Sequence, residues 1–207
     1  EIRAEVTHAI AGGATLVILS DRGVSREKAP IPALLAVSAV HHHLIRGKDR
    51  MRCGLIVETG DAREVHHFCL LSAYGAGAMN PYLAFDTIHQ MQREGQLPAD
   101  IPAEKLEKNY IKAVGKGLLK VASKMGISTL QSYRGAQIFE AIGLNREFID
   151  EYFTRTASRI QGVGIETITE EVLKMHEHAF PSTKVAEALE LDVGGQYAWR
   201  RKGEAHL

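Results

Sequence analysis

The sequence predicts an α/β fold: a short parallel sheet with flanking helices, followed by a helical C-terminal part. Three observations predict it. Two short, unbroken apolar runs rich in β-branched residues, ATLVILS (14–20) and CGLIVETG (53–60), have the profile of strands buried on both faces. Helical and strand patterns alternate over the first 80 residues, which implies parallel strands joined by helical crossovers. Beyond residue 100 the dominant pattern is amphipathic and helical.

The elements follow in order. IRAEVTHAIAGG reads as a helix, because Ile2, Val6 and Ile10 share one stripe and Gly12-Gly13 stops it. The first strand run follows it directly. DRGVSREKAPIP is a polar connection ending in Pro30 and Pro32. PALLAVSAVHHHLIRG predicts a helix with Pro32 near its first turn and Gly47 at its stop. The second strand run comes next. AREVHHFCLLSAYGAGA is a third helix, closed by Gly75 and Gly77. After the Asn80-Pro81 turn, YLAFDTIHQMQREG is a fourth, and QLPADIPAE is a Pro-broken loop. From Glu104 to Met125 one stripe carries Leu106, Tyr110, Val114, Leu118 and Val121, and Gly115 and Gly117 mark a possible break. A helix is expected around LQSYRGAQIFEAIGL. Asn145 caps REFIDEYF, and the T-x-x-E of Thr167 and Glu170 reads as a capping box for EEVLKMHEHAF. The tail from Pro181 is polar and Gly-rich and carries Trp199. The expected division is a βα-repeat part over 1–100 and a helical part with linker over 101–207.

Composition removes several function classes. Lys plus Arg and Asp plus Glu both number 25, so the net charge is zero with His neutral. Nucleic acid or an anionic membrane would reward a basic surface, so neither is the expected partner. No apolar run reaches the ~20 residues of a membrane span. Cys53 and Cys69 have no metal-ligand spacing and no nucleophile signature. Both read as buried packers, and two thiols without a disulfide framework predict a reducing, cytoplasmic setting. The chain opens at Glu1 without Met and stops at GEAHL without a cap, which predicts a piece of a longer chain.

The chemistry-bearing residues gather at the two strand ends, Ser20, Asp21 and Arg22 after the first, and Glu58, Thr59, Gly60 and Asp61 after the second. In α/β folds that edge faces the ligand crevice. Glu58 and Asp21 have the chemistry of acid or base groups, and the amides around Gly60 suit an anion at a helix start. The plainer reading is that a βα loop must be polar and that its Asp and Thr cap helices. His41, His42 and His43 point about 100° apart on a helix and cannot chelate one ion together. His66–His67 and His176/His178 diverge likewise, so no metal is expected; one imidazole of each group is expected to donate to a carbonyl. YGAGA (74–78) follows a helix and lacks the G-x-x-x-x-G-K frame, so it is a helix stop rather than a phosphate loop, and GKG at Lys116 lacks the same frame.

VETGDAREVHHFCLLSAYGAGAMNPYLAFDTI resembles the central domain of the glutamate synthase large chain, in its E-T-x-x-x-R-E-x-H-H turn and helix and its Gly stop before N-P-Y-L. ILSDR with PIPALLAVSAVHHHLI resembles the preceding βα unit. NYIKAVGKGLLKVASKMGISTLQSYRGAQIFEAIGL resembles the segment leading towards the flavin domain, and LDVGGQYAWRRKGEAHL the lead-in to its barrel. The resemblance implies a partial, degenerate βα-barrel-like domain. It implies a parent enzyme that makes glutamate from glutamine and 2-oxoglutarate, with an amidotransferase domain, an ammonia tunnel, and an FMN domain with a [3Fe–4S] cluster. It carries over no catalytic, flavin or cluster residue, since neither an N-terminal Cys nor a three-Cys motif is in the chain. The expected role is a structural spacer between the amidotransferase and FMN domains, with the seven strand-end residues as interface or passage candidates and a homodimer possible for the chain alone. The alternative is a free-standing α/β ligand-binding protein or small enzyme with its site near Asp21 and Glu58.

Overall fold

A computed structural model describes residues 1–181. The first helix, α1 (Ile2–Ala11), stops at Gly12, and Gly13 turns the chain with φ +95°. Strand β1 (Leu16–Ser20), helix α2 (Ala33–Arg46), strand β2 (Gly54–Glu58) and helix α3 (Val65–Ala73) follow. A third strand, β3 (Ala78–Asn80), then leads into α4 (Tyr82–Arg93). The sheet order is β1-β2-β3, all parallel, in a register that sets Ser20 beside Glu58 and Glu58 beside Asn80. The α/β class with short parallel strands and flanking helices therefore holds. The sequence analysis missed β3, whose three residues are too few to show a period.

The core lies on one face of this sheet. Val17, Leu19, Leu55 and Val57 pack against Val6 and Ile10 of α1 and Val37, Val40 and Leu44 of α2. The other face differs from expectation: Leu16 and Ile18 are 65% and 61% exposed. The strands are apolar on both faces because of their composition, yet among the described residues helices cover only one. Two glycines permit close packing. A Cβ on Gly75, at φ +118°, would collide with the edge of the His41 ring, and Gly77 donates its N–H to the Leu55 carbonyl at 2.7 Å. The YGAGA segment is thus a helix stop that lets backbones pass closely. Both cysteines are buried and unpaired.

Helix α5 (Ala103–Lys124) runs unbroken through Gly115 and Gly117. The expected break is absent because Gly117 serves packing: α5 crosses α3 so closely that a Cβ there would overlap the Val65 side chain. Tyr110 adds an edge-on contact to Phe68.

The C-terminal part is not all helical. The helix expected around LQSYRGAQIFEAIGL shrinks to α6 (Leu130–Tyr133), and Glu140–Leu144 forms strand β4. Gly135 and Gln137 take left-handed φ of +69° and +55°, which ends the helix. Asn145 caps α7 (Arg146–Tyr152) as predicted, its side chain accepting the Phe148 N–H at 2.8 Å. Strand β5 (Ala157–Val163) pairs parallel with β4 through two register shifts. Helix α8 (Ile165–Ala179) starts after Gly164, so Thr167 and Glu170 lie inside it instead of capping it. The tail beyond Pro181, with Trp199 and the predicted lead-in, lies outside the described residues.

Candidate functional site

The parallel register brings the strand ends together. Ser20, Glu58 and Asn80 are the last residues of three strands and stand side by side on the open face of the sheet. The Glu58 carboxylate accepts the Ser20 hydroxyl at 2.6 Å, the Arg22 Nε at 2.7 Å and the Asn80 amide at 3.2 Å. The Ser20 hydroxyl, then Arg22, hold the Glu58 carboxyl below the usual carboxylate range. The Arg22 guanidinium also stacks 4.1 Å from the Tyr82 ring.

Asp21 forms a second knot. Its carboxylate accepts the Thr59 hydroxyl at 2.7 Å and the Gly60 N–H at 2.9 Å. Burial, then the hydrogen bond to Asp21, push the Tyr82 phenol up to about 12. Thr59 Oγ1 accepts the Asp61 N–H at 3.0 Å, and Asp61 in turn accepts the N–H of Ala33, the first residue of α2, at 3.0 Å. Asp61 is thus a helix cap, for α2 rather than for the helix that follows it.

All seven predicted residues therefore belong to one constellation. Asn80 and Tyr82 complete it, and the sequence analysis missed both because they hang on the unrecognised third strand. The N-P-Y that follows the Gly stop is the signal that marks them. The Gly60 amide proposed for an anion is already occupied by the Asp21 carboxylate. A general base works with a pKa near the operating pH; Glu58 is shifted away from it and already accepts three hydrogen bonds. What the arrangement does is tie three strand ends to the starts of α2 and α4. A cavity of about 260 Å³ opens beside Ser20, Asp21 and Glu58, with mainly apolar walls from Leu19, Val24, Ile31 and Val57.

The histidines serve separate contacts. His41 Nδ1 accepts from Arg50 Nε at 2.8 Å, and His67 Nδ1 accepts the Arg63 and Glu64 N–H groups at the start of α3. Among the described residues only His176 donates to a carbonyl as expected, that of Ser25 at 2.6 Å. Among the described residues no group of three or more His, Cys, Asp or Glu is placed to hold a metal ion. Among the described residues neither the FMN nor the [3Fe–4S] cluster implied by the resemblance has a fitting set of ligands. A cluster is held by several thiolates, whereas the chain has two cysteines, buried in separate packing clusters. The loop amide nearest to a flavin phosphate's requirement, Gly60, is spent on Asp21. Among the described residues no helix is long and apolar enough to cross a membrane.

Comparison with known proteins gives a consistent result. The family model for the glutamate synthase central domain matches residues 1–145. The glutamate synthase (NADPH) large chain of Bacillus subtilis is 50% identical over 198 residues, covering 96% of this chain and 13% of its own length. The glutamate synthase (NADH) of Schizosaccharomyces pombe is 44% identical over 206 residues, 100% of this chain and 10% of its own. Ferredoxin-dependent glutamate synthase 2 of Synechocystis is 41% identical over 212 residues, 96% and 13% respectively. The chain thus spans about an eighth or less of the curated relatives it matches. With a family model covering more than half of its residues, and the predicted turn, helix and Gly stop in place, this chain belongs to the glutamate synthase central domain family.

Proposed function

We propose that the chain is a structural spacer between the glutamine amidotransferase and FMN synthase domains of a cytoplasmic parent enzyme that makes glutamate from glutamine and 2-oxoglutarate. FMN and a [3Fe–4S] cluster would be carried by the parent outside this chain. The observation that carries the reading is the closed constellation at the strand ends. Its carboxylates are paired inside the chain, so they brace a surface instead of working on a substrate. Two active sites sharing a diffusible intermediate gain from fixed separation, because effective concentration rises and leakage falls. The relatives' names span three electron donors, which supports a role that does not depend on the donor.

The proposed division near residue 100 is one of role and not of packing, since α5 rests on α3. The open apolar face beside the constellation is where a neighbouring domain of the parent is proposed to sit; in the chain alone a second copy covers it. The seven residues Ser20, Asp21, Arg22, Glu58, Thr59, Gly60 and Asp61 then contact that neighbour or border a passage. The test is Glu58→Gln with Asp61→Asn in the parent enzyme, comparing glutaminase with synthase rates. The expected outcome is glutaminase turnover retained and synthase turnover lowered several-fold. Equal ratios in variant and parent would remove the passage and interface role.

A further inference from the structure

We propose that the cavity between α2 and the loops entering β4 and β5 is a binding site for a small organic carboxylate with an apolar body. The cavity measures about 370 Å³, within the range of small-molecule sites. One wall is α2, through His41, His42 and Ile45; the others are the end of α3 and the loops 135–139 and 154–156. None of its lining residues belongs to the Glu58 constellation.

Four features point to an anion. First, among the described residues no Asp or Glu lines the cavity, while Gln137 and Arg155 do, beside Thr154 and Thr156, whose hydroxyls are bonded to the Asp150 carbonyl and the Tyr74 hydroxyl. Second, His42 Nε2 is buried without a hydrogen-bond partner. A buried polar atom left unpaired calls for an explanation, and in the tautomer protonated at Nε2 a neutral imidazole offers a carboxylate a donor. Third, cationic groups behind the wall lack counter-charges. Arg50 spends its donors on His41 and on the carbonyls of Cys53 and Gly75, and Arg134 Nε is buried with no partner. Among the described residues neither guanidinium has a carboxylate within salt-bridge distance. Fourth, Gln137 and Arg155 border the cavity in left-handed conformations, at φ +55° and +68°. Such strain in non-glycine residues concentrates at ligand sites. Ile45, Ile138 and Phe139 add apolar surface, which favours an organic acid over a bare inorganic anion.

Both His41 and His42 are held towards the neutral form, His41 at about 4, by burial first and then by neighbouring cations. That keeps the wall a set of neutral donors facing a positive background.

The test titrates the full chain with succinate and with inorganic phosphate, by calorimetry and by NMR of the histidine rings. Two variants accompany it. Arg155→Gly removes the guanidinium and relieves the left-handed backbone; His42→Leu removes the unpaired imidazole. Both are expected to melt no lower than the unmodified chain, and to bind succinate about tenfold more weakly, while the unmodified chain shows a succinate-dependent shift of the His42 ring. Absence of that shift overturns the proposal. So does equal succinate affinity in the variants, or phosphate binding as tightly as succinate.

Discussion

Two parallel sheets of opposite character stand among the described residues. In β1-β2-β3 one face is sealed: Leu55 is fully buried and Val57 is 2% exposed, under α1 and α2. In the β4–β5 ribbon one face is open, with the paired Ile142 and Ile160 71% and 61% exposed, and the rest is at best half-buried. The ribbon is held by its own ladder, by the mutual approach of Gly143 and Gly162, and by a satellite cluster around Phe148 and Phe153. Two strands alone are marginal in water. The first sheet is therefore a foundation, and the second depends on what surrounds it.

Truncation of one residue in each sheet, buried Leu55 and exposed Ile160, breaks or sharpens this contrast most directly. Leu55→Ala should cost about 3–4 kcal/mol, because it removes buried methyls and leaves a cavity that α2 cannot refill. Ile160→Ala in the ribbon should cost less than about 0.5 kcal/mol. Denaturant unfolding of the two variants checks the pair, and similar losses would erase the distinction.

Acid should act on the first sheet next. His41 packs on Gly75 at the end of α3, its Nδ1 bonded to Arg50, and burial then Arg50 lower its pKa to about 4. A histidine with a depressed pKa binds fewer protons folded than unfolded. Its contribution is present above about 6.5 and is lost as pH falls from there to about 4, by at most about 3 kcal/mol. Glu58, with its carboxyl also held low, adds a loss in the same direction as pH falls through its folded value. Thermal melts between pH 7 and 4 should therefore fall for the unmodified chain and flatten in His41→Gln. A melt independent of pH would refute the assignment.

The smallest effect on stability is expected at Ile18→Glu, on the open face of the first sheet. Folding should change by less than about 0.5 kcal/mol, while sedimentation should shift from dimer to monomer. A chain that is monomeric before the substitution would show that this face needs no cover from a second copy.

How much of this was legible follows from burial. β1 and β2 announced themselves because an apolar β-branched run is rarely anything else. The run does not reveal how many faces are covered, so the exposure of Leu16 and Ile18 was invisible. β4 was misread because EAIGL continues a helical stripe; the left-handed turns at Gly135 and Gln137 decide against helix, and neither is encoded by a Pro or an Asn-Gly. β5 is too polar to suggest a strand, since its SRIQG faces water on both sides. At the strand ends the seven residues could be found from their place after buried runs. Their pairing could not, because Asn80 and Tyr82 arrive through a strand of three residues.

The contact between Gly75 and the His41 ring has an evolutionary corollary. A side chain at position 75 and an imidazole at position 41 exclude one another, and Arg50 holds that ring in place while also binding the Gly75 carbonyl. Drift at position 75 is barred twice, by the ring and by its φ of +118°. Position 75 should therefore be the last of the three to vary, because a smaller side chain at 41 removes the collision and leaves the left-handed backbone in place.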